Sequence, residues 1–262
     1  MDKSNKLQVD DTLLNSSMAT IYRGVVARIN YLSQDRSDLQ YAVKEMGKDL
    51  ANPTKQSVIK AKRVARYLKG TPRVVIVYGY QSKPDGVTVW TDSDFAGCEK
   101  SRKSTSAGVA MHGDHVIKTW SSNQSVIALS SGEAEYYALV KGASVGLGIK
   151  ALSGDLGVTY MSPIDVKSDA SAAIGIANRV GLGKVRHIEV NQLWIQEKVA
   201  KGVINIIKVG TDDNLADALT KAVSAESMMK HLTGIGAMIC GGRHNLAPKT
   251  EYKASQNGEE KE

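Results

Sequence analysis

VTVWTDSDFAG (87–97), followed by TSAGVAMHGDHVIKTW (105–120), is the stretch that decides the fold. Val87 and Val89 alternate with Thr88 and Trp90 up to Asp92, the period of a strand with two different faces. Thr105–His112 and His115–Trp120 flank Gly113-Asp114, a pair suited to a two-residue hairpin turn. Upstream, Ser82-Lys83-Pro84-Asp85-Gly86 is a turn signal and the expected domain boundary. Downstream the period changes. The pattern predicts a long helix from about Ser131 to Gly148, a strand over Ile164–Ser168 and a helix over Ser171–Asn178. It then predicts a helix over Ile188–Lys201 stopped by Gly202, a strand over Val203–Val209 and a closing helix over Asp213–Lys221. The order β-β-β-α-β-α-α-β-α describes an α/β domain, a mixed sheet with helices packed on it.

The chain before this domain reads as helical. Tyr22, Val25, Val26, Ile29 and Leu32 mark one apolar stripe; Leu39, Ala42, Val43, Met46 and Leu50 mark another. A third helix is expected to start at Asn52-Pro53, stop near Gly70, and bury Val58, Ala61, Ala65 and Leu68. Seven cations (Lys55, Lys60, Lys62, Arg63, Arg66, Lys69 and Arg73) fall in this stretch with no Asp or Glu among them. Uncompensated positive charge repels unless an anion neutralises it, so Lys62, Arg63, Arg66 and Lys69 are candidate phosphate contacts, against the plainer reading of a solvated face. A strand over Val74–Tyr80 ends the unit. The expected division is 1–18 flexible, 19–82 helical, 83–222 the α/β domain, and 223–262 an extension largely disordered from about 242.

Composition agrees with an anionic partner. The 262 residues carry +7 at neutral pH, and their 42% apolar content suffices for a core. No apolar run approaches the roughly 20 residues that span a bilayer, and the polar start MDKSNKLQVDD predicts no signal peptide. Two cysteines, Cys98 and Cys240, are too few for a disulfide framework or a zinc site and point to a reducing compartment.

Four acids carry the candidate chemistry. Asp92 and Asp169 each end a predicted strand, Glu135 lies near the start of the long helix, and Asp217 lies in the closing segment. A carboxylate between strand and helix can equally be an N-cap, which would explain Asp169. Taken jointly the four could converge, and converging carboxylates repel unless hard divalent cations such as Mg²⁺ or Mn²⁺ neutralise them.

TDSDFAG (91–97), KSTSAG (103–108), ALSSGEAEYYAL (128–139), SDASAAI (168–174), RHIEV (186–190) and NLADALTK (214–221) resemble the ribonuclease H domain of copia-type LTR retrotransposon Pol polyproteins. YRGVVARINYLS (22–33) and NPTKQSVIKAKRVARYLKGT (52–71) resemble the end of the reverse transcriptase that precedes it. Six motifs in order make the resemblance specific, and it covers about residues 19–222. It implies a ribonuclease H-like mixed five-stranded sheet with helices on both faces, preceded by a small helical reverse-transcriptase-derived segment. It also implies a carboxylate set of Asp92, Glu135, Asp169 and Asp217 holding two Mg²⁺ ions, or Mn²⁺. Aligning on Glu-aromatic-x-Ala selects Glu135 over Glu133. Ser130-Ser131-Gly132-Glu133 also has capping-box spacing, so Glu133 is expected to cap its own helix, and the two glutamates point about 200° apart.

The implied activity is endonucleolytic hydrolysis of the RNA strand of RNA–DNA hybrids. The implied partners are the hybrid and the rest of the polyprotein, reverse transcriptase and integrase, with no membrane. The implied compartment is the cytoplasm, virus-like particles or the nucleus. Ser93, Asn123, Ser168 and Ser171 are candidate hydroxyl or phosphate contacts. Many relatives of the ribonuclease H fold carry a histidine in the loop before the last aspartate, and the loop 210–214 of this chain has none. His187, between Lys184, Arg186 and the helix that follows, reads as structural. Val9-Asp10-Asp11 lacks the context of a polymerase signature. Two rival readings stand: a catalytically degenerate nucleic-acid-binding or scaffold module, and a DNA-cutting enzyme on the same fold.

Overall fold

Three helices come first: α1 (Ser16–Leu32), α2 (Ser37–Gly47) and α3 (Lys55–Gly70). The computed structural model describes residues 11–181, 183, 188, 190–242, 244 and 246. Residues 1–10, with Val9-Asp10, lie outside it, as do Lys184, Arg186 and His187. The helical unit starts earlier than position 19, because Leu13 bridges Thr54 and Asn15 caps α1 through the Met18 N–H. The cap of α3 is Thr54 rather than Asn52: its hydroxyl and that of Ser57 satisfy each other's backbone N–H in a reciprocal box. Tyr22, Val26, Ile29, Leu39, Val43, Met46, Ala61 and Val64 form the core of this unit. Ala65, expected inside, is exposed, and Val64 takes its place. Stripes at 58/61/65 and 57/61/64 are both helical in period, and packing chose the second, with the Ser57 hydroxyl donating to Asp49.

β2 (Val87–Asp94), β3 (Thr105–His112), β4 (His115–Asn123), β5 (Ile164–Ser168) and β6 (Ile204–Lys208) make one five-stranded sheet in the order β4-β3-β2-β5-β6. The first three strands are antiparallel neighbours, while β2–β5 and β5–β6 are parallel. This is the mixed sheet of the ribonuclease H-like fold. The β3–β4 turn falls at Gly113, whose φ of 60° suits glycine. One face carries α4 (Ser131–Asp155), α5 (Ser171–Ala177) and α6 (Trp194–Ala200), packed on Val89, Ala110, Ile164, Val166 and Ile204. The predicted helix over 188–201 is broken: a 3-10 turn at Val190–Gln192 precedes the shorter α6.

The other face is covered by the extension. α7 (Ala225–Gly234) and β7 (Ala237–Cys240) fold back, and β7 pairs antiparallel with β1 (Arg73–Ile76). Leu232, Ile235 and Ala237 from the extension pack on Val109, Met111 and Val116 with Val74 and Ile76 alongside. β1 is shorter than the strand expected over 74–80, since it extends only as far as its partner. The predicted closing helix over 213–221 is replaced by two 3-10 turns, Thr211–Asp213 and Asp217–Leu219. Among the described residues no helix is long and apolar enough to cross a membrane.

Candidate metal centre

Register brings two of the acids together. In the parallel pair, Trp90 lies opposite Lys167, so Asp92 and Asp169, each two residues further on, sit level on neighbouring chains. Adjacent strands are about 4.8 Å apart, within the span of a shared ion. Asp92 has the parity of Trp90 and so faces the side covered by the extension.

Glu135 arrives from the other face. A side chain added at Gly142 would meet the Thr91 methyl at 2.2 Å, and one at Gly146 would meet Ile164 at 2.7 Å. These glycines let α4 lie close on the strands. Glu135 is seven residues before Gly142, so it shares that face of the helix and projects past the strand ends. One oxygen from each of Asp92, Glu135 and Asp169 lies within 4.8 Å of the others. Glu133 points elsewhere: its carboxylate accepts the Leu129 N–H at 2.7 Å and the Tyr137 hydroxyl at 2.8 Å. It reaches one residue beyond the expected cap, while Ser130 receives the Glu133 N–H.

Asp217 stands slightly apart from this trio. Lys221 binds it at 2.6 Å, and its charge still raises the pKa of both Asp92 and Glu135. Thr220 donates to Asp92 at 2.6 Å and to the Asp217 carbonyl at 3.0 Å, and Thr211 donates to Asp169 at 2.7 Å. Burial first, then the neighbouring carboxylates, push Asp92 up to about 6 and Glu135 up to about 9, with Thr220 opposing the shift at Asp92. Glu135 Oε2 is buried without a hydrogen-bond partner. An all-oxygen, charge-stressed set with an unsatisfied acceptor suits a hard divalent cation.

Several supporting residues escaped the sequence reading. Buried Asn214 donates to the Thr91 carbonyl at 3.0 Å and ties the Asp217 turn to β2. Gln124 donates to Ser106 and to the Ala134 carbonyl, both at 2.8 Å, bracing β3 and the start of α4 beside Glu135. His231 on α7 binds Leu215 and Ser37. A polar residue inside a motif, as with Asn214, was the one available signal; nothing local marks His231.

The candidate contact residues scatter. Lys62, Arg63, Arg66 and Lys69 are exposed and make no ion pair among the described residues. Asn123 is exposed at the end of β4, and Ser93 receives a long 3.4 Å bond from Gln124. Ser171 is engaged by Lys208. Ser168 is fully buried and accepts the Ala170 N–H, so it cannot touch a ligand. Two clefts, of about 960 and 580 Å³, meet at Ser122 and Asn123 and contain no carboxylate. Lys118 and Lys141 stand in them; burial and the neighbouring Lys118 hold the Lys141 ammonium below the ordinary lysine range.

No family model matches the chain. It is 31% identical over 218 residues to the retrovirus-related Pol polyprotein from transposon RE1 of Arabidopsis thaliana, covering 83% of this chain and 15% of that one. To the corresponding RE2 polyprotein of the same plant it is 32% identical over 228 residues, covering 85% and 16%. Among solved structures, the N-terminal RNase H domain of rv2228c from Mycobacterium tuberculosis aligns at 19% identity and a TM-score of 0.37, covering 57% of this chain and 99% of that one. The chain spans about 15–16% of the length of these two polyproteins. With relatives aligned along most of its length, the chain belongs to the family of retrovirus-related transposon Pol polyproteins.

Proposed function

We propose that this chain is the ribonuclease H unit of a retrotransposon polyprotein, cutting the RNA strand of RNA–DNA hybrids with two divalent cations, Mg²⁺ or Mn²⁺. The observation that carries this reading is the meeting of Asp92, Glu135 and Asp169 within 4.8 Å from three separate elements. Asp92, Glu135, Asp169 and Asp217 would hold the ions. Bound there, divalent cations neutralise the phosphodiester and make water more acidic.

The residues of the chain do the rest. Thr220 and Thr211 fix the orientations of Asp92 and Asp169. Glu135 holds a proton at neutral pH and gives it up when positive charge enters, which removes the strain of three adjacent carboxylates. Lys221 keeps Asp217 neutralised meanwhile. Lys118, Lys141 and Asn123 would contact the nucleic-acid backbone, as would Ser93, Ser171 and the cations of α3. Reverse transcriptase and integrase would be its partners in the same polyprotein, and the cytoplasm, virus-like particles or the nucleus would be its site of action.

Binding without turnover is the competing reading, favoured by the exposed cations Lys62, Arg63, Arg66 and Lys69 on α3. A labelled RNA–DNA hybrid incubated with the purified chain and Mg²⁺ separates the two. Cleavage of the RNA strand, abolished in Asp92→Asn and absent with duplex DNA, is expected. Salt-sensitive hybrid binding with no cleavage overturns the nuclease reading.

A further inference from the structure

His231 is buried and lies fourteen residues after Asp217, yet it grips the turn that carries that acid. Its Nδ1 lies 2.8 Å from the Leu215 carbonyl and its Nε2 lies 2.9 Å from the Ser37 hydroxyl. A carbonyl can only accept, so Nδ1 carries the hydrogen. Burial lowers the pKa of the ring and favours its neutral form, in which Nε2 accepts from Ser37. Leu215 is two residues before Asp217. The turn there is a short 3-10 segment instead of an α-helix, so its own hydrogen bonds fix its shape poorly and outside contacts must set it.

Ser37 is itself held. Next to it, the buried pair Arg36–Asp38 closes at 2.7 Å, Tyr67 of α3 donates to Asp38 at 2.7 Å, and Arg36 donates to the Thr71 carbonyl at 3.1 Å. A continuous chain of bonds therefore runs from α3 through the start of α2 to His231, Leu215 and the Asp217 turn.

We propose that His231 is a positioning residue through which the upstream helices and the C-terminal extension jointly set Asp217 against the Asp92 cluster. This rests on the nuclease reading for its consequence, but its geometry can be tested apart from activity. It implies that the helical segment is a working part of the centre and not a leftover of the polymerase.

The test uses the full chain with His231→Leu, His231→Gln and Ser37→Ala. Hydrogen exchange, read without metal or hybrid, should show the amides of Asp217, Leu219 and Thr220 exchanging at least about tenfold faster in His231→Leu, with the strands β2 and β5 unchanged. Glutamine offers both a donor and an acceptor and should restore most of the protection. Hybrid turnover should fall about 10- to 100-fold in kcat for His231→Leu with KM unchanged, and recover in His231→Gln. A merely structural role would lower thermal stability and leave kcat of the folded protein alone. Wild-type exchange at the turn in a folded His231→Leu overturns the proposal; if that variant does not fold, the same comparison in Ser37→Ala decides. An inactive wild type would sink the nuclease reading while the exchange result still judged the positioning.

Discussion

Replacing Glu135 with glutamine should make the metal-free protein more stable, an unusual result for a residue at the heart of a site. At 4.8 Å and an effective dielectric of about 20, a like-charge pair costs about 3 kcal/mol. Proton binding gives a similar figure. Keeping Glu135 protonated at pH 7, against an ordinary value of 4.5, costs about 3 kcal/mol at roughly 1.4 kcal/mol per pH unit. Partial exposure trims this to about 2 kcal/mol. The folded state holds this proton up to about pH 9 while the unfolded state loses it near 4.5. Wild-type stability therefore falls as pH rises between those values, and Glu135→Gln removes that loss. Thermal melts in EDTA at pH 7 should show the variant about 4–8 °C higher, with the gap nearly gone at pH 5. Mg²⁺ should reverse the ranking, because wild type gains stability from a bound ion that the variant holds poorly. A variant that melts at or below wild type in EDTA at both pH values would mean that neither burial nor the neighbouring carboxylates disfavour the Glu135 charge, which would refute the charge-stressed centre.

The same proton retention makes metal binding pH-dependent: affinity for Mg²⁺ should rise between about pH 6 and pH 9 as Asp92 and Glu135 ionise, with proton release visible as a buffer-dependent heat in titration calorimetry. A flat affinity over that range would contradict the raised values. Gly142→Ala drives a methyl into Thr91 and should lift α4 from the sheet, destabilising the fold by about 1–3 kcal/mol and weakening metal binding together; loss of stability with wild-type metal affinity would show that the helix seat does not set Glu135. Removing both Lys118 and Lys141 should weaken hybrid binding and lower the slope of log affinity against log salt by about 1–2, with thermal stability unharmed because the two ammoniums repel.

Local pattern was enough wherever an element's fate depended on its own residues. Alternation through Val87–Asp92, the Gly113-Asp114 turn and the short segment Ile164–Ser168 all marked strands that the structure contains. The failures share a cause. Residues 213–221 have helical period, but Asn214, bound to the Thr91 carbonyl, and the seat beneath α7 hold that stretch as short turns. The extension looked unremarkable because β7 becomes a strand only by pairing with β1, some 160 residues earlier.

By itself the sequence determined which acids were candidates, since strand ends and helix starts are written in periodicity; opposite directions on one helix left room for only one of Glu133 and Glu135, and the family pattern with the capping role of Glu133 selected Glu135. Tertiary structure alone decided that the centre is built from both faces of the sheet, Asp92 and its Thr220 partner from one side and Glu135 from the other. Only it showed that Asp217 stands outside the tight trio, and that His231 and Ser37 hold its turn. Periodicity reports a residue's direction relative to its own backbone; distances between elements depend on how closely they pack, and here two glycines of α4 and the folded-back extension set them.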